Sequence, residues 1–161
     1  MASLVDTNIL VYRYDPRNPS KQVVARDLLR NGLASQRLVI PHQAILEFVA
    51  ATTRPRADLG GAPLLTIGDA LREAEGLMRD FPVVYPDEQV LVTAMRGVST
   101  YDLSWFDAHL WAFAEANALP EILSEDFEHG RHYGGVRTVD PFLVAADEVH
   151  ELPAMYDSAG R

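Results

Sequence analysis

The chain has 161 residues, a net charge of −9, and 48% hydrophobic against 23% charged residues, which suits one globular domain with a real core. It contains no cysteine, so disulfides, thiolate metal sites and a cysteine nucleophile are excluded. The acidic balance argues against a passive nucleic-acid binder with a broad basic surface, and no apolar run approaches the roughly 18 residues that span a bilayer.

The opening MASLVDTNIL lacks the basic and small-residue features of a signal peptide, so a cytoplasmic location is expected. Ser3 to Val5 is a short apolar run ending at Asp6 and reads as a buried strand followed by a turn. Asn8 to Tyr14 reads as one or two helical turns. Pro16 and Pro19 punctuate a loop, and an amphipathic surface helix is expected from Pro19 or Ser20 to about Leu33. A second strand is expected over Leu38 to Ile40. Pro41 then suits the first turn of a helix that carries Ile45, Leu46, Phe48 and Val49 and ends before Pro55. RPRADLGGAP, from Arg54 to Pro63, is rich in breakers and reads as the least ordered internal segment. Thr66, with Asp69 three residues on, starts a helix to about Arg79. Pro82 to Tyr85 reads as a strand, Asp87 caps a helix to about Gly97, and Ser104 opens the most periodic helix of the chain. Ile122 to Ser124 is a further strand, followed by a Gly- and His-rich loop and a last strand from Val136 to Val139.

Short apolar strands alternating with helices predict an α/β fold with a mainly parallel central sheet and helices on both of its faces. In such sheets ligands bind beyond the carboxyl ends of the strands, near the point where strand order reverses. Asp6 follows the first strand directly, and Asp126 lies two residues beyond Ser124. Glu47, in the second turn of its helix, and Asp107, in the first turn of its own, can reach the same edge. Three or four carboxylates from separate segments are what a pair of hard divalent cations needs in phosphodiester cleavage, because Mg2+ and Mn2+ take oxygen ligands. Each acid alone also has a plainer reading. Asp6 fits a strand-end turn, Glu47 an exposed helix position, Asp107 a capping box with Ser104, and Asp126 a solvated SEDFE loop.

The segments VDTNILVY, QAILEF, LSWFDAHLWAFAEA and ILSEDFEHG, the last followed by GGVRTVDPF, together resemble the PIN-domain family. More narrowly, they look like the toxin subunits of VapBC toxin–antitoxin systems. The resemblance runs from about residue 3 to Phe142, so 1–142 is read as a PIN domain. Residues 143–161 are read as a C-terminal extension, a short helix and a tail. The resemblance implies a three-layer α/β sandwich and an endoribonuclease that uses one or two Mg2+ or Mn2+ ions. By it, Asp6, Glu47, Asp107 and Asp126 match the family's acidic metal-binding positions, none replaced. Asn8 and Ser124 match polar positions that hydrogen-bond around them. It further implies an RNA substrate, a homodimer, and a cognate antitoxin whose tail occupies the active-site groove; no membrane partner is expected.

Other classes compete for the same residues. A receiver domain, also α/β with acids at strand ends, needs a lysine on a late strand, and Lys21 is the only lysine. An inactive PIN-like scaffold usually loses one or more of the acids, and a DNA-processing nuclease of this fold favours a longer chain. A PIN-type RNA-processing nuclease outside a toxin–antitoxin pair is a further alternative. All but one of the 14 basic residues are arginine, which suits bidentate phosphate contact. Arg13, Arg17, Arg54 and Arg131 are the candidate RNA contacts, with Arg56, His129, His132 and Arg137 near them in sequence as a basic rim around an acidic centre. An ordinary surface role is equally open for any one of them. Trp105, Phe106, Trp111 and Phe113 are expected to pack the core or a dimer interface, and His109 to be structural or solvated.

Overall fold

The computed structural model describes residues 1–144. From residue 145 on, the expected C-terminal extension, 143–161, lies outside the described residues. Within them, strands β1 (Ser3–Val5), β2 (Leu38–Pro41), β3 (Val83–Val84), β4 (Glu121–Leu123), β5 (His132–Tyr133) and β6 (Val136–Val139) form one sheet, in the order β3-β2-β1-β4-β6-β5. Every pairing is parallel except the β5–β6 hairpin. The chain steps outward from β1 to β2 and β3, then crosses back to β4 on the other side of β1. Strand order therefore reverses between β1 and β4.

The two-residue period of the strands explains the layers. Leu4, Val39, Ile122 and Val136 point to one face, where they meet Val90 and Ala94 of α5 (Glu88–Tyr101) and Trp111 and Phe113 of α6 (Trp105–Ala116). Val5, Leu38, Ile40 and Leu123 point to the other. There they meet Ile9 of α1 (Thr7–Tyr12), Leu29 of α2 (Pro19–Ser35), Phe48 of α3 (His42–Thr53) and Leu77 of α4 (Ile67–Asp80). The result is an α/β sandwich with a central, mainly parallel sheet flanked by helices. Gly97 sets the distance between α5 and α6, since a Cβ there would stand 2.7 Å from the Trp111 ring. Only a residue without a side chain lets the two helices approach so closely.

Several expectations need correction. The helix expected to stop at about Gly97 continues to Tyr101 and is closed by Asp102, which takes a left-handed conformation (φ 56°) and donates its N–H to the Val98 carbonyl. A glycine inside a helix weakens it without ending it when packing supports both sides. The Gly- and His-rich loop contains β5, and Gly134 (φ 62°) makes the reversal into β6. His132 and Tyr133 carry no apolar run of the kind that marks Pro82 to Tyr85 as a strand. RPRADLGGAP is no loose strap. It folds back through a short 3-10 turn at Ala57–Leu59, with the Gly61 N–H on the Arg56 carbonyl (2.8 Å) and the Leu65 N–H on the Thr52 carbonyl (2.9 Å). The aromatic group of α6 divides. Trp111 and Phe113 are core, with the Trp111 indole donating to the Tyr133 carbonyl, whereas Trp105 and Phe106 are 44% and 65% exposed.

Candidate active site

The parallel register brings Val5 opposite Leu123, so the residues that follow them emerge side by side at the carboxyl edge, where strand order reverses. The Asp6 N–H continues the ladder by donating to the Leu123 carbonyl (3.0 Å). Asp6 then turns into α1 as its N-cap, and its Oδ1 accepts the Thr7 N–H at 2.6 Å. Its Oδ2 accepts from the Ser124 hydroxyl (2.5 Å) and from Asn8 Nδ2 (3.1 Å). The same Asn8 amide donates to Asp126 Oδ2 (3.2 Å), and the Asp126 N–H donates back to Ser124 Oγ (3.0 Å). Asn8 and Ser124 thus hold two carboxylates from opposite ends of the chain against each other.

Glu47 joins this group through α1. Its Oε2 accepts the Thr7 hydroxyl at 2.8 Å and its Oε1 accepts Gln43 Nε2 at 2.8 Å. Gln43 Nε2 also reaches the Phe106 carbonyl (3.4 Å), and Gln43 Oε1 lies 2.6 Å from His109 Nδ1. Helices α3 and α6 are tied together at this edge. Asp107 sits in the first turn of α6, where Ser104 caps the helix: Ser104 Oγ accepts the Asp107 N–H and donates to Asp107 Oδ2 at 2.6 Å. The plain capping reading of Asp107 is therefore realised, yet its charge is still felt at Asp126.

The electrostatics are those of crowded acids. Burial, with the added repulsion of Asp126 and Glu47, pushes Asp6 up to about 7 against the pull of the Ser124 and Thr7 hydrogen bonds. Burial also raises Asp126, opposed by its bond from Asn8 and reinforced by Glu125 and Asp107. His109 is lowered by burial, so it stays neutral beside Gln43. No three Asp, Glu or His side chains among the described residues converge tightly enough to form a ready-made metal cage. The donor set nonetheless fits a hard cation that keeps much of its water. All the donors are oxygens, two carboxylates are already adjacent, and Asn8 Oδ1 is buried with no hydrogen-bond partner among the described residues.

Of the six expected site residues, Asp6, Asn8, Ser124 and Asp126 form one hydrogen-bonded unit, Glu47 is linked to it through Thr7, and Asp107 faces it through space. Sequence reasoning missed Thr7, Gln43 and His109 as parts of the site. Thr7 lies inside the DTN run and Gln43 is one helical turn before Glu47, a spacing that places both on one face of α3. The arginines scatter. Arg17 and Arg54 line a depression beside Thr7 and Asn8, together with Arg56, whereas Arg13 lines a separate one with Arg26 and Arg30. Arg131 is engaged with Glu128 and with the Tyr133 ring.

Fold and site together define an α/β protein with an oxygen-rich, acidic centre at a topological switch point. A family model for the PIN domain matches residues 3–135, and the chain belongs to the PIN-domain family. No curated protein matches the sequence. Among solved structures, a toxin–antitoxin complex from Klebsiella pneumoniae is similar in fold, at 17% identity and a TM-score of 0.60, over 87% of this chain and 98% of that one. VapC20 of Mycobacterium tuberculosis, a sarcin-ricin loop cleaving toxin, is also similar, at 17% identity and a TM-score of 0.55, over 84% of this chain and 99% of its own.

Proposed function

We propose that this chain is a metal-dependent endoribonuclease and the toxin of a type II toxin–antitoxin pair. The observation that carries the reading is Asp6: a buried carboxylate, 8% exposed, met only by neutral donors and by other acids. Left alone, that arrangement is electrostatically unfavourable, and a divalent cation reverses its sign. When bound, such a cation supplies activation of water and charge stabilisation at the scissile phosphate. Asp6 and Asp126 are the residues to hold it, with Asp107 and Glu47 on its flanks. Ser124 and Asn8 fix the orientation of Asp6 and Asp126. Thr7 and Gln43 each donate to one oxygen of Glu47 and so fix the plane of its carboxylate at the edge of the centre.

RNA as the substrate class is supported by family membership and by the likeness to VapC20, a toxin that cleaves the sarcin-ricin loop. An antitoxin partner is supported by the Klebsiella complex, and the exposed Trp105, Phe106, Leu46 and Met95 give this chain apolar surface of the kind that partner chains and second copies cover. No helix among the described residues is long and apolar enough to cross a membrane.

The test is cleavage of defined RNAs by the purified chain in Mg2+ or Mn2+. Activity should vanish on chelation, and Asp6→Ala should lower it by about 100-fold or more while circular dichroism shows an intact fold. A folded Asp6→Ala protein that cuts at the native rate would remove Asp6 from the centre and end this reading.

A further inference from the structure

Thr7 and Asn8 have a second side, on which a depression of about 310 Å³ is walled by Arg17, Arg54, Arg56, Asp15 and Glu125. We propose that it is a subsite for two successive phosphates of the RNA strand beside the scissile one, one held by Arg54 and the other by Arg56; the proposal rests on the ribonuclease reading above.

The charges in its wall can be assigned one by one. Arg17 donates to Asp15 through Nε (2.8 Å) and an NH2 group (2.7 Å) and also bonds Asp58, so its positive charge is shared between two acids. Glu125 is bonded by Lys21 and by the Tyr12 hydroxyl. Arg54 and Arg56 make no ion pair among the described residues. Arg56 donates one NH2 to the Ala51 carbonyl (3.0 Å), and its Nε is buried without a hydrogen-bond partner among the described residues. A buried guanidinium donor left open costs free energy unless an acceptor arrives.

The backbone aims both side chains. Arg54 (φ −72°, ψ 141°) and Arg56 (φ −125°, ψ 122°) are extended on either side of Pro55, so their Cα atoms stand about 7 Å apart, and both residues line the depression. That is the scale of neighbouring phosphates on a single strand. The closed turn that follows, with the Gly61 N–H on the Arg56 carbonyl, holds the Arg56 backbone before any ligand binds. In a protein of net charge −9, two guanidinium groups that make no ion pair among the described residues, beside the acidic centre, are the local attraction a polyanion needs to approach it, although Arg56 also lends its charge to Asp15 and Asp58.

The test uses fluorescence anisotropy of a short labelled single-stranded oligoribonucleotide on the full-length Asp6→Asn chain in EDTA, across a salt series. Replacing both Arg54 and Arg56 by Gln should weaken binding at low salt about tenfold and lower the salt slope by about 1.4, or about 0.7 for each phosphate that is no longer neutralised. Arg54→Gln alone, on an exposed side chain that does not endanger the fold, should lower the slope by about 0.7. Arg131→Gln should leave it unchanged. An unaltered slope in both Arg54→Gln and the double variant overturns the subsite. So does failure of the oligoribonucleotide to bind at all, or an arginine-dependent preference for polyglutamate, which would assign the pair to an acidic protein segment. Metal-dependent cleavage by the wild type is read separately, so none of these results decides the nuclease reading.

Discussion

Asp6 and Asp15 stand nine residues apart on either side of α1, both buried, and their carboxyl groups are pushed in opposite directions. Asp15 is held below the usual carboxylate range because the Arg17 guanidinium grips it in two places. Asp6 receives hydrogen bonds of similar number, but from an amide, a hydroxyl and a backbone N–H, and its charged neighbours are Asp126 and Glu47. The two acids are therefore buried for different ends. A buried acid that brings its own cation is part of the scaffold, here tying the α1–α2 connection to the turn at Asp58. A buried acid surrounded by oriented neutral donors and other acids has no cation of its own among the described residues to offset its charge.

A pH titration of stability without metal puts that contrast at greatest risk. Unfolded, Asp6 ionises near 3.8; folded, it holds its proton to about 7. Below the first value both states are protonated and no penalty arises. As pH rises through the folded value the advantage of the protonated native state is lost, up to about 4 kcal/mol in all. Wild type should therefore lose stability between pH 4 and pH 7 in EDTA, and Mg2+ should restore much of it at pH 8. Asp6→Asn should flatten the profile and abolish the Mg2+ gain, as chemical denaturation would read. A gain of stability by wild type over that range, or an equal Mg2+ gain in the variant, would place Asp6 with Asp15 among scaffold acids.

A smaller effect is expected at the donor that orients Asp6. Ser124 is fully buried and its hydroxyl pulls the Asp6 titration downward. Ser124→Ala removes that pull, so the acidic limb of the pH–rate profile should move to higher pH and metal affinity should fall by about 10–100-fold. Isothermal titration with Mn2+ and a pH–rate series check both. An unmoved limb with lower activity would mean that Ser124 matters only for packing.

The order of acids along the chain can be read from the sequence alone, and so can the layer architecture. Asp6 directly ends an apolar run, and strands alternate with helices at lengths that favour a mainly parallel sheet. Boundaries were less legible where local rules compete with packing. Gly97 looked like a helix end and is instead the point at which α5 lies against Trp111. β5 left no trace, because His132 and Tyr133 lack the apolar β-branched run that marks the equally short β3 at Val83–Val84. At the site, carboxylates announce themselves by chemistry, but Thr7, Gln43 and His109 act as links, and links are visible only when the fold brings α1, α3 and α6 to one edge. The same holds for the arginines. Sequence grouped Arg13 with Arg17, and the turn of the chain after α1 sends them to different depressions.

The aromatic pair at the start of α6 tests the other flank of the site, where Glu47 borders an apolar groove of about 570 Å³ lined by Leu46, Leu91, Trp105 and Phe106. If the groove is free surface in the isolated chain, its residues contribute little to folding, because their side chains are solvated in both states. Phe106→Ser should then change stability by no more than about 0.5 kcal/mol, the range of surface substitutions away from special features. The melting temperature would move by about 1–2 °C. Phe113, fully buried two turns further along α6, sets the contrast, since its truncation to Ala should cost about 3–5 kcal/mol. A loss of several kcal/mol at Phe106 would show that the groove is covered in solution by another copy of the chain. The contrast between a charged flank built for an incoming strand and an open apolar flank would then fail, because the second flank would already be occupied. A melting temperature that rises with protein concentration in wild type but not in Phe106→Ser would identify that case directly.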